Sequence, residues 1–166
     1  MKHSQARRSL CPINFTLELV GDPWSLLVVR DIVYFGKRTF GEFHSSAEGI
    51  ARNILAERLD RLVGAGVLTR RPLESDRRKQ EYRLTEAGLD LIPLLLAAAD
   101  WGAAHADETD APPWWIAYVR ASPTDAADLV REVVRSGGSI FSGEQTVVER
   151  LTRSGAIRID DGLRLS

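Results

Sequence analysis

The chain has 166 residues, 44% hydrophobic, 27% charged and 7% aromatic, a balance that excludes a disordered chain and allows one ordinary domain, or one domain with an appendage. A single cysteine, Cys11, excludes an internal disulfide framework and a cysteine-rich zinc site, and His3, His44 and His105 lack metal-ligand spacing, so no metal or other cofactor is expected. The net charge of −1 hides an asymmetry: residues 1–84 hold 15 Lys and Arg against 10 Asp and Glu, residues 85–166 only 7 against 13, so the front half suits a polyanion and the back half does not.

Residues 1–10 form a basic leader with no signal-peptide hydrophobic stretch after it. The longest apolar run, Leu94 to Ala99, falls short of the ~20 residues that cross a bilayer. The expectation is a cytoplasmic protein without a membrane partner. Pro12 to Val20 reads as a short helix closed by Gly21. In "DPWSLLVVRDIVYFG", Asp22 can cap a second helix, Pro23 suits its first position and Gly36 ends it. Its apolar residues cover most of the circumference, which predicts burial on several sides.

Thr39 is an N-cap candidate for a short helix with Phe40 and Phe43 on one face. After a turn containing Gly49, a helix from about Ala51 to Val63 carries the core stripe Leu55, Leu59 and Leu62, leaving Arg52, Asn53, Ala56 and Asp60 facing outward. Val67 to Leu73 and Gln80 to Leu84 then flank a polar tip, as two strands of a hairpin would, and Pro72 marks the first as an edge. Thr85 and Glu86 suit the start of a helix that runs to Trp101, with a kink at Pro93. Little polar surface is left on it. The expected cover is a second copy, with Leu89, Ile92, Leu95, Leu96 and Trp101 as dimer contacts.

From His105 onward come the acidic linker "ADETDAPP", the segment "WWIAYV", a helix at Thr124 to Arg135, a loop at "SGGS", a helix at about Glu144 to Arg153 and a small hairpin, "AIRIDDGLRLS". The whole predicts a mainly α fold with a small β-hairpin wing. Its parts are a winged helix-turn-helix domain over 11–105 and a C-terminal α/β extension over 106–166, serving dimerisation, a ligand or a partner. Two short helices joined by a tight turn, with a hairpin behind them, define the winged helix-turn-helix. The second helix of such a pair fits the ~12 Å major groove of duplex DNA. Arg77, Arg78 and Lys79 at the hairpin tip would meet phosphate or minor groove, and Lys37, Arg38 and Thr39, ahead of the first helix of the pair, would grip phosphate.

The blocks "CPINFTLELVGDPWSLLVVRDI", "RTFGEF", "ILAERLDRLVGAGVLTRR", "EYRLTEAG" and "ADWG" occur in this order over about Cys11 to His105. In them the chain resembles the HxlR-type winged helix transcriptional regulators, a branch near the MarR group. The resemblance implies a dimeric, cytoplasmic DNA-binding regulator, often a repressor; in such a dimer two recognition helices ~34–36 Å apart would imply an inverted-repeat operator. It also places Arg52, Asn53 and Ala56 at DNA-facing positions, where Arg52 suits guanine O6/N7 and Asn53 an adenine edge. Ala51 stands where the family often has serine, and the tail after His105 is longer than a typical member's. Some members sense quinones or hypochlorite through a cysteine before a proline at the place of Cys11 and Pro12, so an oxidant or electrophile is a possible signal.

A small apolar ligand between Trp101, Trp114, Trp115 and Tyr118 is another possible signal, against the favoured reading that these rings pack a core or a dimer seam. The second functional class is a winged helix interaction module that has lost DNA binding. An enzyme is not expected, because the sequence has no glycine-rich phosphate loop, no G-x-S-x-G elbow and no paired histidine motif.

Overall fold

The computed structural model describes residues 9–157, which contain nine helices and one two-stranded sheet. Helix α1 (Pro12–Val20) begins on a proline, whose missing N–H would have had no partner in the first turn. Asp22 Oδ1 accepts the N–H groups of Trp24 and Ser25 at 3.0 Å each, and this starts α2 (Ser25–Phe35). Gly36 ends α2 at φ +66°, a left-handed conformation that costs glycine little. Val28, Val29, Ile32 and Val33 are all buried, so α2 is an axis of the core, as its all-round apolar pattern predicts.

Thr39 and Glu42 form a capping box for α3 (Phe40–His44): Glu42 N–H donates to the Thr39 hydroxyl while the Glu42 carboxylate takes the Thr39 N–H. Helix α4 (Arg52–Gly64) follows, and its Leu55, Leu59 and Leu62 are buried. Strands β1 (Leu68–Leu73) and β2 (Asp76–Leu84) pair antiparallel from Leu68 opposite Leu84 to Pro72 opposite Gln80, with an irregularity at Pro72 and Leu73. The turn is only Glu74 and Ser75. Arg77, Arg78 and Lys79, expected at the tip, are instead residues of β2, because a solvated hairpin tolerates long charged side chains well into its strands. The segment before α3 joins the sheet at its base, where Tyr82 N–H donates to Arg38 O at 2.7 Å and Thr39 bridges Glu81.

The kinked helix expected from Thr85 to Trp101 is two helices, α5 (Glu86–Leu89), capped by Thr85, and α6 (Ile92–His105). Pro93 sits in the first turn of α6, where it opens the helix rather than bending one. Gly88 has no alternative in α5: a Cβ there would lie 2.3 Å from Val67 O. The stretch Glu86–His105 has a mean hydropathy of 1.3, enough by composition for a membrane span. It is nevertheless broken at Asp90 and Leu91, and it sends Leu89, Ile92, Leu95 and Leu96 into the core.

The extension supplies α7 (Pro113–Ala121), which contains "WWIAYV", α8 (Pro123–Arg135) and α9 (Val147–Arg153), the last opened by a capping box of Thr146 and Glu149. Its described part is helical. The hairpin expected in "AIRIDDGLRLS" lies outside the described residues apart from Ala156 and Ile157. Helices α7 and α8 lie against α6, and the loop after α8 donates Ile140 N–H to Val33 O and Phe141 N–H to Tyr34 O, 2.9 Å each, occupying carbonyls at the end of α2. Trp115 is fully buried among Trp114, Tyr118 and Phe141. The aromatic residues therefore do not line one pocket, since Trp101 stacks on His105 at the exposed surface of α6.

One expectation is corrected outright. Leu89, Ile92, Leu95 and Leu96 are buried within a single chain, so a second copy is not what covers them. Helix α6 is as apolar as expected; its cover comes largely from this chain's own later helices.

Candidate nucleic-acid interface

The turn between α3 and α4 is held by Asp31, a buried carboxylate on α2. It receives Arg30 Nη2 at 2.6 Å, Lys37 Nζ at 3.1 Å and the hydroxyl of Ser46, while Arg30 also pairs with Glu48. Lys37 Nζ donates to Ser46 Oγ as well, at 2.6 Å. These contacts tie α2, the approach to α3 and the interhelical turn together. Gly49, at φ +68°, completes the reversal.

On α4 the three leucines face in, and Arg52, Asn53 and Ala56 face solvent. The Arg52 guanidinium lies over the Phe40 ring, 5.3 Å from its centroid, and Phe40 is in turn stacked on His44. Among the described residues Arg52 has no ion pair and the Asn53 side chain no hydrogen bond. Both are therefore free to meet a ligand. Arg58 is not: it lies 3.1 Å from Asp22 and 3.0 Å from Glu57, and its side chain is mostly covered. Burial pushes the Asp22 carboxyl up, but the Ser25 hydroxyl, the Trp24 and Ser25 N–H groups and the Arg58 charge outweigh it and hold the group below the ordinary aspartate value.

On the wing, Arg77 and Lys79 are exposed and make no ion pair among the described residues, whereas Arg78 is folded onto Asp76 at 3.1 Å. Arg71, exposed on β1, adds a cation that sequence reasoning missed, since it sits in a strand rather than in the charged cluster. Arg70 joins wing to helix through Asp60 of α4, 2.5 Å away.

The trio expected to grip phosphate has other partners. Lys37 is taken by Asp31 and Ser46, the Thr39 hydroxyl by the capping box, and the Arg38 guanidinium by the carbonyls of Gly137 and Gly138 at 3.3 Å each. Lys37 is separated from its carboxylate by one turn boundary and Arg38 from its carbonyls by about a hundred residues, so charge alone could not reveal either attachment. Phe40 as a shelf for Arg52 was equally invisible, although its spacing from His44 put the two rings on one helical face.

The model of HxlR-like helix-turn-helix proteins matches residues 19–110. The chain belongs to this HxlR-like helix-turn-helix family. It is 42% identical over 101 residues to Rv3095 of Mycobacterium tuberculosis, an HTH-type transcriptional regulator, spanning 61% of this chain and 63% of that protein. YdeP of Bacillus subtilis, also an HTH-type transcriptional regulator, is 33% identical over 100 residues, covering 60% of this chain and 77% of the relative. Among solved structures, PA1607, described as a candidate transcription factor, matches with a TM-score of 0.55 and 42% identity over 64% of this chain and 72% of its own. The oxidized form of the redox regulator HypR matches over its whole length, with a TM-score of 0.53 and 29% identity, using 59% of this chain. The HxlR-like match stops at residue 110, so α7, α8 and α9 lie beyond it.

Proposed function

We propose that this HxlR-like chain binds duplex DNA sequence-specifically as a homodimer and represses transcription from an inverted-repeat operator in the cytoplasm. The observation that carries the reading is the division of labour on α4. Leu55, Leu59 and Leu62 anchor it, Arg58 is tied to Asp22, and Arg52 and Asn53 alone of its first turn are polar, exposed and unpaired among the described residues. Arg77 and Lys79 on the wing, and Arg71 beside them, supply charge for phosphate. An interaction module without DNA binding has no need of such uncompensated cations. The repressor sign rests on the family resemblance.

A dimer seam is supported by apolar residues on two helices that the chain leaves bare. On α1, Ile13 and Leu17 are 68% and 57% exposed, and on α6, Leu94 and Trp101 are 41% and 66% exposed, with Ala98 between them. Two copies joined there would present two recognition helices to half-sites ~34–36 Å apart. Selection of bound sequences from random duplexes tests the reading. Arg52→Ala is expected to reduce discrimination by about 1–3 kcal/mol at one position of each half-site. Equal affinity of the parent protein for selected and random duplexes would sink it.

Cys11 supports a redox or electrophile input. It is exposed and lies at the N-cap of α1, the helix that carries the bare residues Ile13 and Leu17. Oxidation or alkylation there puts a polar or bulky group at the start of that helix. Hypochlorite or a quinone is expected to release DNA from the parent protein and not from Cys11→Ser, as read by gel shift; equal release from both removes Cys11 as the sensor.

A further inference from the structure

Where the wing base meets the extension, three arginines from three separate elements line a small recess of about 70 Å³: Arg38 from the segment after α2, Arg83 from β2 and Arg135 from the end of α8. Two of them are already matched. Arg135 makes a two-point pair with Glu86, at 2.6 and 2.9 Å, and Arg83 Nη2 lies 2.8 Å from Glu81. Arg38 has only the two glycine carbonyls, and among the described residues no carboxylate comes within ion-pair distance of it. The Glu42 carboxylate next to it is spent on the backbone N–H groups of Arg38 and Thr39 and on the Thr39 hydroxyl.

Arg38 is also partly withdrawn from water. Burial lowers its pKa, and the Arg83 charge repels it more strongly than either Glu81 or Glu42 attracts it. With no carboxylate in ion-pair contact, although Glu86 also lines the recess, an anion that accepted the remaining N–H groups of Arg38 would be a nearer counter-charge than Glu81 or Glu42. The space is several times the ~10–15 Å³ that one water requires by the same measure, which leaves room for one tetrahedral oxyanion.

We propose that Arg38 and Arg83, with Arg135 at the rim, form a binding site for a tetrahedral oxyanion of the phosphate type. The ligand is either free inorganic phosphate or a phosphodiester of the bound duplex, since both present the same oxygens. The site exists only because the extension is docked: Gly137 and Gly138 orient Arg38, and Arg135 belongs to α8. Because Arg38 O also holds the Tyr82 N–H of the wing, an anion bound there ties wing and extension together.

The test uses the full chain and isothermal titration with sodium phosphate against sodium chloride at matched pH and ionic strength. One phosphate per chain is expected. Arg83→Gln, a change at an exposed side chain, and Arg38→Gln are each expected to weaken it about tenfold or more, the loss of one charge-assisted hydrogen bond. Thermal melts verify that both variants are folded, and Arg83→Gln carries the test if Arg38→Gln is not. A parent protein that binds phosphate no better than chloride overturns the site, as do folded variants that bind phosphate as the parent does. Repeating the titration with saturating duplex separates the sources: phosphate heat that vanishes assigns the site to the DNA backbone, and heat that persists assigns it to the free anion.

Discussion

Asp22 lies between two helices: its carboxylate accepts the N–H groups that open α2 and stands 3.1 Å from Arg58 of α4. Its lowered pKa makes it a source of stability whose sign is fixed. A carboxyl depressed on folding contributes fully above its unfolded value, about 4, and the contribution disappears as pH falls through the lower folded value. Asp22→Asn keeps a capping oxygen and removes the charge. The variant is therefore expected to be less stable than the parent in urea at neutral pH, with the gap narrowing as pH falls below about 4; a gap of equal size at neutral pH and in acid rules the linkage out. Asp31 is a different case, a buried carboxylate that two cations and a hydroxyl share. Both residues show why a cation in the sequence is not a free cation: Arg58 and Lys37 look as available as Arg52 until their partners are placed.

At the level of elements, the wing divides its cations by what each can still do. Arg77 and Lys79 project from β2 without an ion pair among the described residues, and Arg78 is bound to Asp76 on the same strand. Taking one cation away from a DNA phosphate reduces the slope of log affinity against log salt by about 0.9. Arg77→Ala and Lys79→Ala are each expected to flatten it by about 1, Arg78→Ala by less, and the triple replacement by up to about 3, on operator and random duplexes alike. Binding measured across a salt series checks this, and an unchanged slope in the triple variant ends the assignment of the wing to DNA. The helices of the pair were legible beforehand because caps and stripes are local: Thr39 with Glu42 opens α3, and Leu55, Leu59 and Leu62 mark the inner face of α4. The hairpin register was less legible, since charged residues sit equally well in a turn or on an open strand.

At the scale of the whole molecule, the extension takes up apolar surface on α6 and leaves other apolar residues bare. Leu94, Ala98 and Trp101 stay bare on α6, with Ile13 and Leu17 on α1. Leu94→Glu with Trp101→Glu is expected to turn a dimer into a folded monomer and to abolish tight operator binding, as measured by sedimentation and gel shift. A double variant that sediments as the parent does places the seam elsewhere. Truncation after Ala106 is expected to give an insoluble chain, because it strips the cover from Leu96 and removes Trp115 and Phe141 from the end of α2. A soluble truncated chain that melts cooperatively would contradict this.

What the sequence determined alone was the set of elements along most of the chain and the face each turns inward, since periodicity, caps and glycine positions act over a few residues. It also located Arg52 and Asn53, because an outward position on a helix follows from the inward ones. Tertiary structure decided where the cations are held and what covers α6. Lys37 reaches Asp31, Arg38 reaches Gly137 and Gly138, and Leu96 shares a cleft with Val119 and Ala127 of the extension. Such pairings depend on distances in space between residues far apart in the chain, and no local pattern records them.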